Sequence, residues 1–204
     1  MIFNFFRKDP IEEKAIALYE RIVEAARRPE FYTIGQAPDT VEGRFEILSL
    51  HVYLTLRRLK NDGEAGKALS QKVFDVFFKN MDDSLRELGV GDLTVGKKIR
   101  AMAEAFYGRT GAYEVALDGR SSVPDPEREL DATNSKRTAD KNKLASALTR
   151  NILGLDPEDG VPAGANAIAD FILRADIDLG EQSFENLQNG SISFVNFVEK
   201  GPQT

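Results

Sequence analysis

The chain has 204 residues, with 27 Lys and Arg against 33 Asp and Glu, a formal net charge of −6. At that length roughly 70 % of the unfolded surface can be buried, so one domain needs no covalent staple, and the acidic balance argues against a nucleic-acid binder working through bulk charge. With no Cys, no Trp and one His, thiol catalysis, disulfides, Cys-type zinc sites and metal sites needing two histidines are excluded.

The opening stretch, Met1-Ile2-Phe3-Asn4-Phe5-Phe6, is apolar but has no basic region before it and is too short for a signal sequence. The plainer reading folds Phe3, Phe5 and Phe6 back on the first helix as a staple or core edge. The sharper one is a shallow contact with a membrane surface, helped by Arg7 and Lys8. The longest uncharged run, Asn186 to Val198, is broken by Asn, Gln, Gly and Ser and falls short of the about 18–20 apolar residues of a spanning helix. The expected location is cytoplasmic, with a peripheral contact at the inner face of the cytoplasmic membrane as an extension of that reading.

Asp9-Pro10-Ile11-Glu12 supplies an N-cap, a proline at the first helical position and an early acidic residue. Ala15, Leu18, Tyr19, Ile22, Val23 and Ala26 then form one apolar stripe, which Pro29 ends. Glu30 to Asp39 reads as a short packed link holding Phe31, Tyr32 and Ile34. Asp39 and Glu42 have capping-box spacing and open a second helix to about Lys60, apolar nearly all round and therefore central. Asn61-Asp62-Gly63 ends it. A third helix runs from about Glu64 to Leu88, with Leu69, Val73, Val76, Phe77, Leu85 and Leu88 inward, and Gly89 occupies the place of a left-handed cap residue. After a tight connector, Thr94 is the expected cap of a fourth helix carrying Ile99, Met102, Ala103 and Phe106, which Gly108 and Gly111 are expected to break or bend.

From Gly119 to Lys143 the only large apolar residues are Val123 and Leu130. Such a stretch cannot offset its ordering entropy, which predicts a mobile charged loop around 119–139. Helical pattern resumes at about Asp140 through Leu144, Leu148 and Ile152, again over Pro162 to Ala175, and briefly around Gly180 to Leu187. The tail from Ile192 to Val198 alternates weakly and reads as an extended arm lying on a neighbour. The fold class is all-α: a compact, bundle-like array in a single domain over 9–204, after a short apolar segment at 1–8.

Chemistry is sparse. Gly91 to Lys98 has the G-x-x-x-x-G-K spacing of a phosphate-binding loop, but that loop needs a preceding strand and a hydroxyl where Lys98 stands, so a nucleotide-binding enzyme is a minor alternative. His51, alone on an apolar helix, reads as a hydrogen-bonded core residue rather than a base. Asp75, Asp82, Asp83 and Glu87 read as a solvated acidic face, with Asp82 and Arg86 one helical turn apart. Lys97, Lys98 and Arg100 fall in a first helical turn, where the helix dipole disfavours cations, which hints at a partner.

The middle of the chain has more specific wording. Pro29-Glu30-Phe31-Tyr32, Pro38-Asp39-Thr40, Gly43-Arg44-Phe45-Glu46 and Leu50-His51 come first. Phe74-Asp75, Phe77-Phe78, Met81-Asp82 and the run Leu85-Arg86-Glu87-Leu88-Gly89-Val90-Gly91-Asp92-Leu93 follow. Met102 to Arg109 with Ala112-Tyr113 completes the set. Together, over about Tyr19 to Leu117, these strings resemble the ubiquinol–cytochrome c reductase assembly chaperone family. No targeting extension of the mitochondrial kind precedes them, so the chain is similar to a bacterial member.

The resemblance implies a non-enzymatic, cofactor-free chaperone that holds newly made cytochrome b, or its nascent chain, while respiratory complex III is assembled. Mitochondrial relatives act with a small co-chaperone at the ribosome, and no DNA partner is implied. A peripheral membrane adaptor anchored by Phe3, Phe5 and Phe6 is the competing reading. The resemblance supplies no binding residue, so sites are chosen physically. Phe45, Leu48, Phe74, Phe77 and Phe106 are assigned to the core. Arg44, Asp82, Arg86, Asp92, Lys97, Lys98, Tyr107 and Arg109 are the polar candidates for partner binding. Phe78 and Met81 join them because they fall off the inward stripe, and a hydrophobic client calls for an apolar patch rimmed by polar groups.

Overall fold

The structure is a computed structural model that describes residues 9–118 and 130–197, the side chains of 118 and 130–139 excepted. Phe3, Phe5, Phe6 and the part of the expected charged loop over 119–129 lie outside the described residues.

Helix α1 (Pro10–Ala26) starts as its sequence requires: the Asp9 carboxylate accepts from the Ile11 N–H at 3.0 Å, and Pro10 opens the first turn. Its apolar stripe buries Ala15, Leu18, Tyr19 and Ile22. The link that follows contains a single-turn helix, α2 (Glu30–Thr33), which places Phe31 fully inside. Helix α3 (Val41–Leu59) is the central element. It packs on α1, α4, α5 and α7, and buries residues on every side, which is why its apolar positions occupy more than one face. Its cap is Thr40, whose hydroxyl accepts from the Gly43 N–H at 3.1 Å, and not the expected pair Asp39 and Glu42. Asp39 instead accepts from Arg44 Nε at 2.7 Å.

A short 3-10 turn (Lys60–Asp62) leads into α4 (Gly63–Glu87). Gly89, at φ 79°, closes α4: Val90 N–H donates to the Leu85 carbonyl and Gly89 N–H to that of Arg86. This double bond pattern satisfies carbonyls left open at the helix end, and the positive φ suits glycine. Helix α5 (Asp92–Asp118) begins earlier than expected. Thr94 is not its cap but lies in its first turn, where Thr94 N–H and Val95 N–H both donate to the Gly91 carbonyl. Nor do Gly108 and Gly111 break it. The helix passes through both because Phe106, Tyr113, Ala116 and Leu117 on its inner side are buried, and tertiary packing outweighs the cost of about 1 kcal/mol per glycine.

Helix α6 (Leu130–Asn151) also starts earlier than the expected position near Asp140, so the charged stretch is helical from Leu130 onward rather than loop to 139. Low apolar content had hidden a helix whose anchor lies later, at the buried Leu144, Ala145 and Leu148. After a second 3-10 turn (Pro157–Asp159), α7 (Ala163–Glu181) runs well past the expected Ala175, and α8 (Phe184–Gln188) is capped by Ser183. Among the described residues there is no strand, and the fold is all-α with one continuous hydrophobic core. No helix among them is long and apolar enough to cross a membrane.

Candidate functional site

Helices α4 and α5 form a long hairpin that leaves the core. Between Phe77 and Phe106, both buried, the only buried side chain is Val95. The hairpin therefore has a foot in the core and a shaft that is mostly solvated. Its foot is aromatic. Phe77 stacks on Phe45 with ring centroids 5.9 Å apart, and Phe106 lies 5.9 Å from Phe77. Outward from them, Phe78 sits 4.7 Å from Phe74, and Phe74 reaches both Phe106 at 5.7 Å and Tyr107 at 5.8 Å. Phe74, Phe78, Met81 and Met102 are half-buried against the core, whereas Tyr107 is 62 % exposed. This band of aromatic and thioether side chains is adaptable apolar surface.

The shaft ends in a turn that exposes two leucines, Leu88 at 66 % and Leu93 at 90 %. Arg86 pins that turn, pairing with Asp82 one turn back and with Asp92 at the start of α5. Lys79 pairs with Asp83. Lys97, Lys98 and Arg100 are exposed and have no carboxylate partner among the described residues.

The residues expected to bind a partner thus divide. Phe78, Met81, Asp82, Arg86, Asp92, Lys97 and Lys98 all lie on the hairpin, with Tyr107 at its foot. Arg109 points inward instead, donating to the Glu46 carboxylate on α3 at 2.8 Å. Burial pushes Glu46 up to about 7, against the pull of the Arg109 charge. Arg44 stands on the first turn of α3 and is engaged by Asp39. Leu88, expected on the inward stripe of its helix, is instead exposed because the hairpin tip gives it nothing to pack on. Met102, expected in the apolar pattern of the next helix, is half-buried, and Leu93 was given no place by sequence reasoning. The readable signal was two leucines flanking a Gly-Val-Gly-Asp turn, where a helical tip has no core to fill.

The other chemical candidates resolve simply. Gly91 to Lys98 follows a helix rather than a strand and continues as the first turns of α5, so the backbone cradle of a phosphate loop is not formed. His51 is fully buried. Its Nδ1 lies 2.8 Å from the Ile47 carbonyl, and burial pushes its pKa down to about 4. The ring packs edge-on to Phe31 and Phe194, as a core histidine does.

Residues 34–125 match the ubiquinol-cytochrome C chaperone family. The ubiquinol-cytochrome-c reductase complex assembly factor 1 of Xenopus laevis is 24 % identical over 200 residues, 98 % of this chain and 89 % of that protein. Its human counterpart is 25 % identical, and the aligned stretch spans 60 % of the human protein. The crystal structure of the Cbp3 homolog from Brucella abortus superposes with a TM-score of 0.72 and 40 % identity, over 92 % of each chain. An identity of that level over nearly the whole of both chains, with the same helical fold, places this chain in the ubiquinol–cytochrome c chaperone family, whose curated relatives are assembly factors of the ubiquinol–cytochrome c reductase complex.

Proposed function

We propose that the chain is a non-enzymatic chaperone that holds newly made cytochrome b during assembly of the ubiquinol–cytochrome c reductase complex, and that the α4–α5 hairpin is its client-facing surface. One observation carries this reading: a long two-helix projection with a single buried side chain between Phe77 and Phe106, an aromatic and Met-rich foot, and exposed leucines at its tip. A hairpin kept only for stability would bury its inner seam along its length. Here apolar surface is kept near water and rimmed by Lys97, Lys98 and Arg100, which suits a hydrophobic polypeptide held reversibly. Phe78, Met81, Met102 and Tyr107 supply the contact area. Asp82, Arg86 and Asp92 fix the shape of the turn, and the Glu46 pair with Arg109 fastens the foot to α3. The chain works at the cytoplasmic face of the membrane in which the client is inserted.

A photo-crosslinking amino acid at Tyr107 tests this directly. It should capture newly made cytochrome b, while the same group at Ile177 on α7, 53 % exposed, should not. Equal capture from both positions, or none from Tyr107, overturns the assignment of the surface.

A further inference from the structure

The carboxy-terminal arm is seated in the manner of a bound peptide. Ser191 to Phe197 has neither helix nor strand, yet Ile192, Phe194 and Phe197 are buried. Phe194 packs on His51 with centroids 4.9 Å apart, and Phe197 packs on Phe31 at 4.8 Å and Phe171 at 5.8 Å.

The arm's main chain is held by side chains of other elements. Gln182 Nε2 donates to the Ser193 carbonyl at 2.8 Å, and its Oε1 accepts from the Ser193 N–H at 3.1 Å. Arg28 donates to the carbonyls of Phe194 at 3.2 Å and Val195 at 2.8 Å. Arg174 donates to those of Asn196 at 2.9 Å and Phe197 at 2.6 Å. Every carbonyl from Ser193 to Phe197 therefore has a side-chain donor. Neither arginine is paired with a carboxylate among the described residues. Each uses its planar fork to bridge two successive carbonyls.

Apolar burial alone is non-directional and would not require such a device. Main-chain bonds that ignore sequence, combined with pockets for spaced apolar side chains, are how extended peptides are recognised. The arm also has a defined pivot. Gly190 has φ 71°, and a Cβ there would lie 2.9 Å from Ala17 Cβ, so the chain turns tightly against α1 as it leaves α8.

We propose that the groove lined by α2, α3 and α7 is a binding site for an extended apolar segment of a partner polypeptide, aliphatic-x-aromatic-x-x-aromatic in pattern, and that the chain's own arm fills it until such a segment displaces it. The arm is the template for that occupant: Ile192, Phe194 and Phe197 occupy the pockets, and Arg28, Arg174 and Gln182 hold whatever main chain lies between. This site is separate from the hairpin and does not rest on the hairpin's role.

The test uses the full chain carrying Phe194→Ala and Phe197→Ala, which empties two pockets and leaves the groove residues in place. A capped peptide Ser-Ile-Ser-Phe-Val-Asn-Phe, matching residues 191–197, should bind this variant at least tenfold more tightly than it binds the unmodified chain. The same peptide with Asp at both aromatic places should not bind. A folded variant that ignores the peptide overturns the proposal. A concentration-dependent dimer of the unmodified chain that the peptide dissociates would assign the groove to arm exchange between copies and overturn the partner segment. If the variant does not fold, amide exchange of the unmodified chain decides. Peptide-dependent acceleration of exchange at residues 192–197 supports displacement, and exchange of those amides only through global unfolding overturns it.

Discussion

Arg109 on α5 donates to the Glu46 carboxylate on α3 at 2.8 Å, and the Glu46 side chain is only 9 % exposed. The second guanidinium nitrogen, Arg109 Nη1, is buried without a partner. The pair is thus a desolvated fastening between the central helix and the foot of the hairpin, held against a burial cost that raises the carboxyl pKa from 4.5 to about 7.

Removing one partner leaves the other charge buried and uncompensated. Arg109→Met should cost on the order of 3 kcal/mol at pH 8, measured by urea unfolding. At pH 5 Glu46 takes up a proton in the folded state and the cost should shrink markedly. An equal cost at both values would mean that Glu46 is not the group that responds.

The two buried titrating groups of α3 oppose each other with pH. Glu46, raised from 4.5 to about 7, contributes stability that is full below 4.5 and is lost as pH rises through 7. His51, lowered from 6.5 to about 4, contributes stability that is full above 6.5 and is lost as pH falls through 4. Each slope is about 1.4 kcal/mol per pH unit at most, and the two overlap between 4.5 and 6.5, where they offset. His51→Phe should therefore tilt the profile so that stability falls from pH 5 to pH 6.5, and Glu46→Gln should tilt it the opposite way. Parallel profiles for the two variants would refute the assignment.

Two glycines should respond in opposite directions. Gly89 is held at φ 79°, so Gly89→Ala should destabilise by about 1 kcal/mol through the strain of a left-handed Cβ. Gly111 is exposed, helical and has open space where a Cβ would stand, so Gly111→Ala should stabilise by about 0.5–1 kcal/mol. Thermal unfolding of the two variants checks both signs.

These residues also show where sequence reading succeeds and where it stops. Asp9 and Gly89 act through hydrogen bonds to near neighbours and Pro10 through the fixed φ of its ring, so these roles were legible from the local sequence. The uninterrupted α5 was not legible because packing from distant parts of the chain outweighs its glycines, and the early start of α6 was not legible because the sequence before the buried Leu144 carries little apolar pattern. The hairpin was half legible. The spacing of Phe78 and Met81 set them off the inward stripe, but Phe74, assigned to the core, is only half-buried beside them, and only the solvated shaft shows that Leu88 and Leu93 have nothing to pack on. The arm was least legible, since its carbonyl donors Arg28, Arg174 and Gln182 come from other helices and links.

The last prediction separates recognition from folding on the hairpin itself. Lys97 and Lys98 are exposed and unpaired among the described residues, and Leu88 and Leu93 are among the most exposed large apolar side chains. Surface substitutions away from packed features usually change stability by no more than about 0.5 kcal/mol. A combined Leu88→Ser, Leu93→Ser, Lys97→Glu and Lys98→Glu variant should therefore keep its helicity and melt within a few degrees of the parent. Arg86 is left untouched because it pins the turn through Asp82 and Asp92. If this surface meets the client, removing two apolar contacts and reversing two charges should weaken the complex by several kcal/mol. Cells carrying the variant should then lose cytochrome b and the assembled ubiquinol–cytochrome c reductase complex, while a quinol oxidase that bypasses that complex remains at normal levels. A folded variant that supports normal complex assembly would move the client surface elsewhere. Normal assembly in a strain lacking the whole chain would remove the chaperone role for this protein altogether.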